Sequence, residues 1–148
     1  MESSTTPLFL ASSVISLSGA FILDETILEH VEDPKFPTES DEFKHSCFGP
    51  DLEAAIKSDM NPAFLIEEMA KAGKDFPGIY MAVGNEDPLL EQNRKFVELL
   101  ERYRVKHTFE VGRGSHEWDF WDTYIRKAMD WLPLEEKELG FSSGNVGL

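Results

Sequence analysis

The chain has 148 residues, and 41% of them are hydrophobic, so it can build the core of one ordinary domain. Its 28 acidic residues outnumber 14 basic ones and give a formal charge of -14, which would repel phosphate groups. We therefore expect neither nucleic acid nor an anionic membrane among its partners. Cys47 is the only cysteine, which excludes an internal disulfide, and the four histidines lack the spacing of a structural zinc site.

The N-terminal segment is apolar and allows two interpretations. Residues 3–23 contain no charged side chain and could pass for the hydrophobic part of a secretion signal. Such a signal opens with basic residues, whereas the early charge here is Glu2, and serines interrupt the apolar run. The sequence therefore favours a strand at residues 14–17, buried on both faces of a sheet, in a cytoplasmic protein.

Residues 24–50 are acidic and lack the periodicity of a helix or a strand, and Pro34, Pro37 and Pro50 interrupt them. No secondary-structure element is expected there. Irregular segments of this length are uncommon inside compact domains unless they serve a function. Two interpretations stay open, a lid over a functional site and a solvated surface loop.

The next segment predicts a helix followed by a strand. Asn61 and Pro62 form a helix start, because asparagine caps the first turn and proline suits the first helical position. Gly73 ends the helix. The apolar residues that would share its inner face are Leu65, Met69 and Ala72. Residues 79–83 then form an unbroken apolar run, which predicts a strand in the centre of the sheet.

A second helix opens at Asp87 and Pro88, with an inner face of Phe96, Leu100 and Tyr103. Residues 105–111 alternate apolar and polar side chains, which predicts a half-exposed strand near the sheet edge. A third helix follows residues 112–116. Its apolar residues at helical spacing, expected to pack into the core, are Trp118, Trp121, Ile125, Ala128 and Leu132. The alternative for Trp118 and Trp121 is that they line an acyl pocket.

The alternation of strands and helices predicts the α/β class, with a parallel sheet between two helical layers in a three-layer α/β/α arrangement. Functional groups in such folds gather in the loops after the carboxyl ends of the strands. Asp87 and His116 lie in two such loops, so both would project from one sheet edge. An imidazole can shuttle protons when a carboxylate orients it. Alternatively, Asp87 only caps a helix and His116 is an ordinary loop residue beside Gly114.

Several short motifs around this pair resemble one family. They are Gly84-Asn85-Glu86-Asp87 after an apolar strand, His116-Glu117-Trp118 with Trp121, Trp131-Leu132-Pro133, and Ser16-Leu17-Ser18-Gly19-Ala20. Together, over about residues 8–134, they resemble the tributyrin esterases and S-formylglutathione hydrolases of the α/β-hydrolase fold. The resemblance implies hydrolysis of short-chain acyl esters or thioesters through an acyl-serine intermediate, without a cofactor.

The resemblance also assigns roles within a Ser-His-Asp triad, with Asp87 as the acid and His116 as the base. In the family the acid follows the seventh strand and the histidine the eighth, so this chain would hold the last strands of the fold, truncated on the N-terminal side. No G-x-S-x-G elbow precedes Asp87, although the triad serine should come before the acid. The serine is therefore expected outside this chain, which would be inactive alone.

Two other patterns match known motifs by letter only. Residues 140–144 read Gly-Phe-Ser-Ser-Gly and match the G-x-S-x-G pattern. No strand leads into them, so Ser142 is expected to lie in a flexible tail. Residues 116–120 start like the zinc motif H-E-x-x-H but end in Phe120, so a metal site is not expected.

The sequence thus predicts a partial α/β-hydrolase domain over residues 1–134, with a possible lid at 24–60, and a polar tail over 135–148. The alternative function is a non-catalytic interaction module whose open sheet edge binds a partner. In either case the partner at that edge would be the missing N-terminal half or a second copy of the chain. A cation-binding role for residues 24–51 is the weakest interpretation, because the ligand periodicity is absent.

Overall fold

A computed structural model describes residues 12–134, which contain a three-stranded parallel sheet. The strands are β1 (Ser13–Leu17), β2 (Gly78–Gly84) and β3 (Thr108–Gly112), in the spatial order β1-β2-β3. Tyr80 of β2 lies opposite Ile15 on one side and Thr108 on the other. The predicted α/β class with a parallel sheet is confirmed.

The helices, in chain order, are α1 (Asp41–Phe48), α2 (Leu52–Ile56), α3 (Pro62–Lys71), α4 (Leu90–Arg102) and α5 (Trp118–Trp131). The side chains of β2 alternate between the two faces of the sheet. Met81 packs with Ile66 of α3 and Leu100 of α4, whereas Tyr80 packs with Tyr124 of α5. The sheet therefore has α3 and α4 on one face and α5 on the other.

The central strand and the helix after it agree with the sequence prediction. Every residue from 79 to 83 is buried, as expected for the middle strand of a parallel sheet. In α4, Phe96 and Leu100 are buried, while the charged residues of the opposite face are exposed. Asn61 caps α3 through its side-chain oxygen, which accepts the Ala63 N–H at 3.1 Å.

The inner face predicted for α3 is wrong by about one position, and that predicted for α5 is right for Ala128 and Trp121 but wrong for Trp118 and Ile125. In α3 the buried side chain is Ile66, while Leu65 and Ala72 are exposed. In α5, Trp118 is 81% exposed and Ile125 is 40% exposed. The buried residues of α5 are Phe120, Tyr124 and Ala128.

Gly112 of β3 explains why the face of α5 that contains Tyr124 packs against the sheet. A Cβ on Gly112 would lie within 1.9 Å of the Tyr124 hydroxyl oxygen, so the missing side chain lets this ring sit directly against the strand. The face that contains Tyr124 therefore turns toward the sheet, and Trp118 turns away from it.

The two outer strands are less buried than the central one. Val14 in β1 is 44% exposed, so the prediction that this strand is buried on both faces is wrong for the described residues. Among residues 12–134, β1 pairs only with β2 and forms an edge of the sheet. β3 begins at Thr108 instead of residue 105, since Val105 still belongs to the turn after α4 and donates its N–H to Leu100. β3 is half-exposed, as predicted for a strand near an edge, but Val111 on its apolar face is 41% exposed.

Residues 24–60 contain helices that the sequence pattern did not predict. Besides α1 and α2 there are single 3-10 turns at Glu25–Leu28 and Pro37–Glu39. Ser40 and Asp51 cap α1 and α2 by accepting backbone N–H groups of the first turn. A small separate core holds the segment together and consists of Leu23, Ile27 and Ala55 with Phe48, Leu52 and Ile56 around them. Helices this short give no periodic signal, which is why the sequence pattern did not predict them.

Three sequence expectations fall on residues that the structure does not describe: the start of the apolar N-terminal segment, the place of Ser142 and the polar tail. Residues 1–11 and residues 135–148, which include Ser142 and the expected polar tail, lie outside the described range. Within residues 12–134, none of the helices combines the length and the apolar composition needed to cross a bilayer.

Tyr80 and Glu110 join β2 to β3 on the α5 face and make stability sensitive to alkaline pH. The Tyr80 hydroxyl donates to a Glu110 carboxylate oxygen at 2.6 Å. Burial, followed by this hydrogen bond, raises the pKa of Tyr80 above its ordinary value of 10.0. The unfolded chain then loses the phenolic proton first, so the stabilisation is complete below pH 10.0 and declines as the pH rises above it.

We expect Tyr80→Phe to lower the free energy of unfolding by about 1 kcal/mol at neutral pH, because Glu110 loses a donor. Urea unfolding should also show a smaller loss of stability above about pH 10 in the variant than in the unmodified chain. Equal losses in both proteins would show that this hydrogen bond does not stabilise the sheet.

Candidate active site

Asp87 and His116 meet at the carboxyl edge of the sheet. Asp87 lies in the loop after β2 and His116 in the loop after β3, and neighbouring parallel strands end at the same edge. Nδ1 of His116 lies 3.2 Å from Oδ2 of Asp87. The Asp87 side chain is fully buried, whereas 46% of the His116 side chain is exposed. A buried carboxylate thus holds an imidazole that ligands can reach.

The Asp87 carboxylate also forms the turn that leads into α4. Its Oδ1 accepts the Leu89 N–H at 2.8 Å, and its backbone carbonyl accepts the Leu90 N–H at 3.0 Å. Because Oδ1 serves the turn and Oδ2 faces the imidazole, the two interpretations of Asp87 are compatible. The backbone contact fixes the direction of the oxygen that faces His116.

Backbone hydrogen bonds tie the acid loop to the histidine loop. The Asn85 N–H donates to the Gly112 carbonyl at 2.7 Å, and the Asn85 side-chain oxygen accepts the Gly114 N–H at 3.1 Å. The Glu86 N–H donates to the Gly114 carbonyl at 2.9 Å. Gly114 has a φ of +137°, which favours glycine at this position. The relative position of Asp87 and His116 is therefore set by the backbone.

The end of β1 reaches the same site through Trp121. The Trp121 ring stands edge-on to the His116 imidazole, with centroids 4.8 Å apart and an interplanar angle of 89°. Its Nε1–H donates to the Ser18 hydroxyl at 3.0 Å, and Ser18 is buried with a φ of +51°. The sequence favoured the core for Trp121, with an acyl pocket as the alternative, and it gave Ser18 no contact with the site; Trp121 packs against the core and against His116. A tryptophan soon after the histidine and a serine at a strand end were the available signals.

An open cavity of about 690 Å³ lies beside His116. Residues of the 22–44 segment form one side, and Pro88, Leu89 and Gln92 after the acid loop form the other. Its apolar walls include Ile22, Ile27 and Phe36. The imidazole therefore faces a space that can hold a ligand larger than an acetyl group.

The described part of the chain shows no metal centre. No group of three or more His, Cys, Asp and Glu side chains within residues 12–134 could hold an ion. Glu117, the second residue of the zinc-like pattern, accepts the Ser115 N–H at 3.0 Å and stabilises the histidine loop.

Known proteins resemble this chain in sequence and in structure, although no family model matches it. It is 32% identical over 119 residues to an acetyl esterase from Caldicellulosiruptor saccharolyticus, and the match covers 80% of this chain and 44% of the esterase. The structure superposes on an S-formylglutathione hydrolase of Staphylococcus aureus with a TM-score of 0.62 and 23% identity. A fluorophosphonate-binding serine hydrolase of the same organism, solved with substrate bound, gives a TM-score of 0.62 and 26% identity. Each superposition covers 81% of this chain and 44% of the relative.

The three strands and their helices are thus part of an α/β-hydrolase fold, which confirms the fold that the sequence predicted. Within that class, the chain resembles an acetyl esterase and an S-formylglutathione hydrolase, as its motifs indicated. It spans less than half the length of these relatives.

The contact between Gly84 and Gly114 gives a direct test of how the two loops are positioned. A Cβ on Gly84 would lie 2.2 Å from the Gly114 carbonyl oxygen, so Gly84→Ala must push the histidine loop away. We expect a loss of about 1–3 kcal/mol in the free energy of unfolding and altered NMR signals of the His116 ring.

Gly78→Ala is the matched control at the other end of β2. A Cβ there meets the far end of the Trp131 ring at 3.1 Å, remote from the histidine loop. This variant should leave the His116 signals unchanged. If Gly84→Ala also leaves them unchanged, the close approach of the two loops does not position the imidazole.

Proposed function

We propose that this chain supplies the acid and the base of a Ser-His-Asp triad in a carboxylic-ester hydrolase. Asp87 orients the imidazole, and His116 transfers protons to and from a serine that lies outside this sequence. The contact between the buried Asp87 carboxylate and His116 Nδ1, at 3.2 Å, is the observation that carries the proposal. The similarity to an acetyl esterase supports an ester or thioester as the substrate.

The geometry fits the proton transfers that ester hydrolysis needs. When Nδ1–H of His116 donates to Asp87, Nε2 keeps its lone pair and can accept the serine proton. The serine oxygen then attacks the ester carbonyl carbon, and the imidazolium returns the proton to the departing alcohol or thiol. The same nitrogen then deprotonates a water molecule, which attacks the acyl carbonyl carbon, and the imidazolium returns the proton to the departing serine oxygen. The Asp87 carboxylate stabilises the imidazolium that forms in both steps.

Residues 24–60 would act as a lid in this proposal. Their 3-10 turns lie along the cavity beside His116, so they would cover the bound substrate and exclude water from it. No oxyanion hole is assigned to this chain, because the donors that form one in this fold lie next to the serine and on an earlier loop.

The serine must approach from the open side of the sheet. Within residues 12–134, β1 has a neighbour only on its β2 side, and Val14 is 44% exposed there. A strand that pairs with β1 would end at the same edge as Asp87 and His116. The partner would be an N-terminal half or a second copy of the chain. A module that only binds such a partner remains the second candidate, supported by the same open edge.

The purified chain should hydrolyse p-nitrophenyl acetate and p-nitrophenyl butyrate at the background rate. We expect His116→Ala to give the same rate at matched concentration, since neither protein contains a positioned nucleophile. Turnover by the unmodified chain that is lost in His116→Ala would contradict the proposal, and Ser142 would be the first residue to test.

A chimera can test the two roles in an active context. Residues 12–134 would replace the matching stretch of the Caldicellulosiruptor acetyl esterase, which would supply the remaining fold. We expect p-nitrophenyl acetate hydrolysis that falls about 10³-fold or more in Asp87→Ala and in His116→Ala.

The matched control is His107→Ala, because His107 precedes the amino end of β3, whereas His116 follows its carboxyl end. This variant should keep the activity of the chimera. A chimera that folds but does not hydrolyse the ester would favour the interaction module. A chimera whose activity survives His116→Ala would contradict the assignment of the base.

A further inference from the structure

The cavity beside His116 combines apolar walls with carboxylates. Ile22, Ile27, Phe36 and Leu89 supply apolar surface, and the volume of about 690 Å³ far exceeds what an acetyl group fills. The larger group of an ester would therefore occupy it. The charged residues that line the same space decide which groups it accepts.

Three acidic residues line the cavity, Asp24, Glu29 and Glu39. Two of them are held in place by the backbone. Asp24 accepts the Thr26 N–H at 2.9 Å, and Glu39 accepts the Lys35 N–H at 2.7 Å. Within residues 12–134, none of the three forms a salt bridge with a lysine or an arginine. The negative charges of Asp24 and Glu39 are thus held in place at the cavity, and neither these two nor Glu29 is neutralised by a lysine or arginine within residues 12–134.

Lys44 is the one lysine or arginine among the residues that line this cavity, and it is already engaged. Its side chain is only 4% exposed, and Nζ donates to the Glu29 carbonyl oxygen at 2.7 Å. Nζ also lies 3.8 Å from a carboxylate oxygen of Asp41, which compensates its charge. The three carboxylates therefore outweigh Lys44, and the lining is negative overall.

We propose that this cavity selects substrates whose larger group is apolar and positively charged, such as a quaternary or protonated amine. Carboxylates beside apolar walls attract a cation, and Phe36 adds an aromatic ring to the lining. The same charges repel an anionic group, so a thioester of glutathione, with its net negative charge, is disfavoured. The inference rests on the proposed function for its ester chemistry, but the charge preference can be measured without catalysis.

The test uses three phenols of similar size that represent the product of such an ester. They are 3-(trimethylammonio)phenol, its neutral isostere 3-tert-butylphenol, and 3-hydroxybenzoate. Their dissociation constants would be measured by NMR titration of the full chain, following the resonances of Ile27, Leu89 and Gln92. We expect the cation to bind and the carboxylate to bind most weakly.

The decisive quantity is the ratio of the cation's affinity to that of its neutral isostere, because shape cancels in it. A partly exposed ion pair contributes a factor of about 1.5 to 5. The double variant Asp24→Asn with Glu29→Gln should therefore lower the ratio by about threefold or more. Asparagine still accepts the Thr26 N–H, so the 3-10 turn is preserved. Glu29→Gln alone should lower the ratio by a smaller factor.

Glu98→Gln with Glu101→Gln is the matched control, since it removes two charges from the exposed face of α4. The ratio should stay at the unmodified value in this control variant. In the unmodified chain the ratio should fall in high salt, because salt screens the attraction between the cation and the carboxylates. The inference is overturned if none of the phenols binds, if 3-hydroxybenzoate binds most tightly, or if both double variants give the unmodified ratio. These outcomes concern the cavity alone. The proposed function would be overturned by a different result, namely ester hydrolysis by the chimera that survives Asp87→Ala and His116→Ala.

Discussion

The parallel pairing of β2 with β3 is the constraint on which the candidate site depends. It ends both strands at one edge and brings the acid loop to the histidine loop. The loops can then join only because Gly84 has no side chain, as a Cβ there would collide with the Gly114 carbonyl. The contact between Asp87 and His116 thus follows from strand order and from one close backbone approach.

Each group at the site is held by more than one element. Asp87 uses one carboxylate oxygen for the turn before α4 and the other for His116. Trp121 of α5 packs edge-on to the imidazole and is itself held by Ser18 at the end of β1. All three strand ends therefore contribute to the position of the imidazole. Such support from rigid elements is what precise proton transfer requires.

The sequence predicted the fold class, the central strand and the adjacency of Asp87 and His116, because these depend on long apolar runs and on the topology of parallel sheets. It did not predict the inner face of α3, and it predicted that of α5 only in part. Those faces depend on individual contacts such as Tyr124 against Gly112, which periodicity does not contain. The short helices in residues 24–60 were missed because a helix of two turns has no measurable period. The Ser18 contact joins residues 103 positions apart in sequence, so no local pattern reveals it.

The protonation site of the neutral His116 imidazole tests the central claim most directly, because orienting this ring is the role proposed for Asp87. Long-range ¹H–¹⁵N NMR spectra of the full chain distinguish a proton on Nδ1 from one on Nε2. The account predicts a proton on Nδ1 in the unmodified chain and its loss from Nδ1 in Asp87→Ala. A proton on Nε2 in the unmodified chain, or an Nδ1 proton that persists in Asp87→Ala, would contradict it.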